Sequence, residues 1–405
     1  ETELIPFVSQ RARLPIEDFK GTFVEAFAAS QCILINTTAA SGASTRIPQW
    51  SVELVKSSGK LVACAQPRRL SALSLASHVA EEMGMELGKE IGFSIRHEER
   101  GGSVLKYCTD GWLLREMEKD PLLNEYGVII VDGVHERTLH IDVLIGKLKA
   151  LLTKRKDLKV VIIGEDIDTD KFMLFFDHHC LLSILPRMES LPTIVHAPYQ
   201  CLTPVESAIE TVCGLEEKDG NILVLLATQD ESGVSLDELS EARSIQGRKC
   251  IVSTASGESS SVIFEDITIV IDGGFCETDL YDQVESKQVI LISKATADRR
   301  AARIGVKMVV RVYSKDLYEK MEKDHLPVIL RADPERVREV LKENGIDMSS
   351  YRKFVAHESL KILLNFHGFW TFLLCLGTFI SSVEQAYVHL TLEYVIHNIF
   401  TWIFP

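Results

Sequence analysis

Apolar residues in this chain fall into short β-branched runs, separated by longer stretches in which they recur at helical spacing. Cys32–Ile35, Lys60–Ala65, Ile91–Arg96, Val104–Cys108 and Leu158–Ile163 read as strands. Glu17–Ser30, Leu70–Gly84 and Leu139–Leu152 read as helices between them. The alternation predicts a parallel, doubly wound α/β sheet. At its centre lies Val128–Val131, apolar on both faces and ending in Asp132. A carboxylate there sits where open α/β sheets bind ligands. Two readings of Asp132 stand on the residues alone: a Mg²⁺ anchor beside phosphates, or a cap for the next helix.

The first strand leads into Asn36–Thr45, a small-residue loop before a helix, which is the frame of a phosphate cradle. The full cradle is G-x-x-x-x-G-K-[ST]. Gly42 and Ser44 match it, followed by Thr45, while Thr37 stands at the first glycine and Ala43 at the lysine. Judged as a motif the loop fails, and on its own an ordinary strand-to-helix turn is the better reading.

Composition narrows the class. The 405 residues are 46% hydrophobic and 25% charged, which suits a globular chain of two domains with extra material. The start at Glu1, with neither methionine nor apolar leader, reads as a fragment or processed chain. Nine cysteines without a CxxC pair imply reduced thiols, a nuclear or cytoplasmic setting and no zinc site. His178–His179 reads as a surface pair. The net charge of −14 means that any nucleic-acid site is a local channel.

Taken together, Ile47–Gln49, Gln66–Arg69 with Val79–Met83, Gly92–Glu98, Thr109–Glu116 and Asp132–Thr138 with Asp142 resemble the DEAH-box RNA helicases of superfamily 2. That group acts in pre-mRNA splicing and ribosome biogenesis. Gly220–Thr228, Lys249–Thr254, Thr268–Phe275, Ile292–Gly305 and Val309–Tyr313 continue the match in order, and it fades near Tyr351. The resemblance implies an α/β fold with two RecA-like, P-loop-NTPase-type parallel-sheet domains at 1–196 and 197–316. A winged-helix remnant at 317–358 and an apolar helical tail at 359–405 would follow. It implies ATP and Mg²⁺ as ligands, with Ser44 and Asp132 on the metal, and RNA or helicase proteins as partners. No small-molecule substrate other than nucleotide is implied. Arg68, Arg69, Thr109, Asp110 and Thr254 match residues along the family's RNA path, where contacts are mostly to sugar–phosphate.

The departures bear on activity. Ala43 cannot neutralise phosphate charge as the family's lysine does. The Asp-Glu-Ala-His tetrad is here Asp132–Gly133–Val134–His135, without the glutamate that orients and deprotonates water. Gly164–Glu165–Asp166 replaces Ser-Ala-Thr and brings two carboxylates toward the phosphate site. Arg300 and Arg303 match the first two arginines of Q-R-x-G-R-x-G-R, but Arg299 stands at the glutamine and Val306 at the final arginine. Each such loss typically costs roughly two to five decades of rate. A catalytically silent protein is therefore expected. Glu136 or Glu165 serving as base, with weak NTPase activity, is the alternative.

Two further features lie outside the family pattern. Only 17 residues separate Asp230 from Arg248, enough for one helix but not for a further strand. The second sheet is expected to lack an internal strand and to expose edges unless its neighbours close the gap. Ile362–Val383 holds 22 residues without Asp, Glu, Lys or Arg, long enough to span a bilayer. A membrane segment, a buried helical pair and translated non-coding sequence all fit that tail.

Overall fold

The computed structural model describes residues 14–342, apart from 39–40, 177–179, 185–191, 198–203, 216–219, 228–248, 254–266, 282–284, 304, 326, 332–336, 338–339 and 341. The described residues belong to one compact unit, residues 1–348. His178–His179, Thr254, Tyr351 and the apolar tail lie outside them. Among the described residues no helix is long and apolar enough to cross a membrane.

The chain opens with a 3₁₀ turn, Pro15–Phe19, and helix α1, Lys20–Ala29, where one helix was expected. Then follow β1 (Cys32–Thr37), α2 (Ala43–Val55), β2 (Leu61–Gln66), α3 (Arg69–Met83), β3 (Ile91–Ile95) and β4 (Glu98–Arg100). Next come β5 (Leu105–Thr109), α4 (Asp110–Lys119), β6 (Tyr126–Asp132), α5 (Leu139–Lys154), β7 (Lys159–Glu165), α6 (Thr169–Phe175) and β8 (Cys180–Ile184). These strands form one sheet in the order β4-β3-β5-β2-β6-β7-β1-β8, parallel except for β4.

Every residue of β6 is buried, as its unbroken apolar run requires when helices cover both faces of a sheet. Two strands run past their apolar cores into polar residues. β1 continues through Asn36, whose Oδ1 accepts the Ile167 N–H at 3.1 Å. β2 continues to Gln66, whose amide donates to Asp132 Oδ2 at 2.8 Å. Hydrophobic patterning ends both strands early because it is blind to partners supplied from elsewhere in the chain.

The second sheet is β11-β10-β12-β15-β9, all parallel. Its strands are β9 (Thr193–His196), β10 (Asn221–Leu225), β11 (Cys250–Ser253), β12 (Ile267–Asp272) and β15 (Met308–Arg311). Helix α7 (Pro204–Gly214) precedes β10, and an antiparallel hairpin of β13 (Phe275–Tyr281) and β14 (Glu285–Leu291) follows β12. Thr193–His196, expected at the end of the first domain, is thus a strand of the second sheet. Among the described strands no gap is open, since β10 pairs directly with β11 on one side and β12 on the other. Strand β11 ends this sheet among the described residues, and its Val252 is 57% exposed.

Candidate functional site

The C-terminal ends of β1, β2, β5 and β6 bring the expected phosphate, metal and RNA residues to one edge of the first sheet. Gly42 precedes α2 with φ 93°, and a Cβ there would meet Leu14 Cδ1 at 2.8 Å. Ile16 N–H donates to Ser41 O at 3.1 Å, so the N-terminal turn straps this loop. Ala43 is buried at the lysine position. Thr45 Oγ1 donates to Gly42 O at 3.0 Å. Thr37 is buried, and its Oγ1 has no hydrogen-bond partner among the described residues.

Arg46 is the cation closest in sequence to the missing lysine, and it is already committed. It contacts Glu17 Oε1 at 3.2 Å and Glu82 Oε2 at 2.6 Å. Burial alone would raise the Glu82 carboxyl, but donors from His78, Gln49 and Arg46 outweigh it and hold Glu82 at about 2. A carboxylate that acidic keeps Arg46 paired through the neutral range.

Asp132 ends β6 buried, accepting hydrogen bonds from Ser44, Gln66 and the Gly133 N–H. Burial without a cation pushes its carboxyl up, and those three donors restrain the rise. Ser44 and Asp132 are therefore adjacent, as a shared hard cation would require. The helix-cap reading of Asp132 does not hold, because the cap of α5 is Thr138, whose side chain accepts from Ile141 N–H at 3.2 Å.

Gly133 has φ 76°, and a Cβ would stand 3.0 Å from Pro67 Cγ. Any side chain here is strained, so a glutamate cannot enter without moving the backbone or Pro67. Val134–Glu136 forms a 3₁₀ turn. His135 Nδ1 accepts the Glu165 N–H at 3.1 Å. Burial, then the charges of Arg299 and Arg68, push His135 well below its ordinary value, so the ring is neutral with its proton on Nε2. A Cβ at Gly164 would meet Ile167 Cγ2 at 2.5 Å and Val134 Cγ2 at 2.8 Å, which forbids a serine there in this packing. Glu165 is half-buried and Asp166 exposed, with the Asp166 N–H donating to Thr37 O at 3.1 Å.

Neighbouring strands β2 and β5 carry the RNA candidates. Arg68 immediately precedes α3 and Arg69 begins it, while Thr109 immediately precedes α4 and Asp110 begins it. Arg68 pairs with Glu136 through both carboxylate oxygens, at 3.3 and 3.0 Å. Asp110 is 3% exposed. Its Oδ1 has no hydrogen-bond partner among the described residues. Burial first, then the charges of Glu136 and Asp132, push its carboxyl well up. Arg137 holds Asp142 in a bidentate pair at 2.8 and 3.2 Å.

Arg300, on the helix Lys294–Ala301, reaches the C-terminal end of β12. Its Nη1 lies 2.5 Å from Asp272 Oδ1 with both side chains fully buried, and its Nη2 donates to Phe275 O at 3.2 Å. Tyr313 Oη donates to Asp272 Oδ2 at 2.7 Å. Arg303 is buried as well. Val306, at the expected arginine finger, packs with Leu223, Leu225, Ile267, Val270, Ala301 and Val309. Its surroundings are an apolar core.

Sequence reasoning missed Gln66, Tyr107, Glu82 and Asp272. Two signals were present: Asp272 repeats the apolar-run-then-Asp-Gly pattern of Asp132, and Pro48 inside α2 announces a carbonyl that needs another donor. Ser44 and Asp132 fit a Mg²⁺ ion by donor chemistry and adjacency. The residues around the loop do not fit a triphosphate, because Ala43 supplies no charge and Arg46 is paired elsewhere.

This arrangement of two parallel sheets defines a helicase-like α/β fold. The structure is similar to the crystal structure of the Escherichia coli DEAH/RHA helicase HrpB, with a TM-score of 0.72 and 22% identity over 81% of this chain. The chain spans 46% of the length of that helicase chain. No family model matches the sequence.

Proposed function

We propose that this protein is a catalytically silent, DEAH-box-like helicase relative that works by binding, with RNA or a helicase protein as its partner. Gly133 carries the reading. Glycine carries no carboxylate to activate water, and its left-handed backbone, with Pro67 Cγ 3.0 Å from where a Cβ would stand, strains any side chain placed there. Ala43 and Val306 support it, since the first supplies no phosphate cation and the second is core. Of the two carboxylates suggested as a substitute base, Glu136 is already held by Arg68. The Ser44–Asp132 pair would suit a Mg²⁺ ion, but with no cation in the loop for nucleotide phosphates, Mg·ADP binding is expected to be weak and without turnover.

RNA backbone contact is assigned to the edge formed by Arg68, Arg69 and Thr109, in a nuclear or cytoplasmic setting. The Arg68–Glu136 pair must open for that contact, so binding is expected to be weak and steeply salt-dependent.

The test is ATP turnover by the full chain with and without single-stranded RNA, alongside calorimetric titration with Mg·ADP. Turnover is expected at enzyme-free background in both conditions, and Ala43→Lys alone should not raise it. RNA-stimulated turnover in the range of about 1 per second, which is ordinary for enzymes, would overturn the reading.

A further inference from the structure

Pro48 lies within α2, where its ring nitrogen has no proton to donate. In a regular helix the N–H of residue 48 would bond to the carbonyl of residue 44. The Ser44 carbonyl is nevertheless satisfied, since Tyr107 Oη on β5 donates to it at 3.1 Å. Ser44 is gripped a second time, by its hydroxyl, at Asp132 on β6. Strands β5 and β6 flank β2, whose Gln66 braces Asp132 from between them.

We infer that Tyr107 is a positioning residue for the phosphate-loop helix: its hydroxyl replaces the amide proton that Pro48 lacks, and ties the first turn of α2 to the strand that ends at Thr109. The Tyr107 side chain is fully buried between the sheet and α2. Burial, and the nearby charge of Asp132 among others, keep its phenol protonated and able to donate. A proline at this position would otherwise leave a carbonyl without a partner one residue from Ala43. The bond itself stands on geometry, and only its use in ligand binding rests on the function proposed above.

A double-mutant cycle tests the inference in the full chain, using wild type, Tyr107→Phe, Pro48→Ala and the double variant. The readouts are native-state hydrogen exchange of α2 amides and the urea unfolding equilibrium. Beside Pro48, losing the hydroxyl strands a buried carbonyl and should raise opening or unfolding constants roughly tenfold. In the Pro48→Ala background the helix supplies its own N–H, and the same change should cost less than about threefold. If Tyr107→Phe does not fold and Pro48→Ala restores it, the inference also stands. Equal losses in both backgrounds would overturn it, as would failure of the double variant to fold, since Tyr107 would then act through packing alone. Mg·ADP titration of the wild-type chain reads the binding function separately, so absent binding with intact coupling would refute that function and leave the bond's role in place.

Discussion

The ends of β6 and β12 carry nearly the same sequence, VIIVDG and TIVIDGG, and bury an aspartate at the same place in their sheets. Their fates differ. Asp132 is met by a glutamine, a serine and a backbone N–H, all neutral donors. Asp272 is met by the Arg300 guanidinium at 2.5 Å, the Tyr313 hydroxyl at 2.7 Å and the Gly274 N–H at 3.0 Å. One strand end therefore keeps a carboxylate with unmatched charge, ready for a cation. The other has committed its carboxylate to holding a sheet together. A local pattern that marks a ligand site in one sheet marks a structural ion pair in the next.

The contrast breaks most readily at Arg300. Replacing it with Met leaves Asp272 buried beside no cation, and should cost about 3–5 kcal/mol in urea denaturation. An arginine that served phosphate chemistry from solvent would leave the melt unchanged. At the other strand end, Gln66→Leu removes one of three donors to Asp132 and should cost about 1.5–3 kcal/mol, since bonds to charged groups are the stronger kind.

The smallest effect is the most diagnostic in sign. Asp132 titrates higher in the folded chain than its ordinary 3.8, so the folded state holds the proton more tightly than the unfolded state. Stability is then lost as pH rises through that window, rather than as it falls. Asp132→Asn keeps an acceptor for Gln66 without the charge, and should stabilise the chain at pH 7 by up to about 1 kcal/mol. The gain should vanish below pH 3.8 when the unfolding equilibria of both proteins are compared across pH. A loss at pH 7 would mean that Asp132 has a cationic partner, as Asp272 does.

Much of the first sheet was legible because its strands are apolar on both faces, and such runs show in one dimension. Val128–Asp132 was read as a buried strand and is one along its whole length. Where strands continue into Asn36 and Gln66, the pattern failed, because the partners come from Ile167 and Asp132. The adjacency of Ser44 and Asp132 was expected through resemblance, and the clamp on Ser44 from Tyr107 was not. Arg300 and Val306 were read by their place in a phrase, which gives neither residue's neighbours. Which strands of the second sheet pair was not legible, because spacing alone does not say whether neighbours close a gap.

By itself the sequence determined the alternation of strands and helices, the small-residue loop, and the absence of lysine, glutamate and arginine from three positions where the DEAH-box resemblance leads one to expect them. Those follow from side-chain identity and periodicity, which are local. Tertiary structure decided which buried charges are matched, that Gly133 cannot simply accept a glutamate, and that a tyrosine supplies the proton that Pro48 lacks. Those depend on groups far apart in the chain meeting within hydrogen-bond distance, and only the packed fold brings them there.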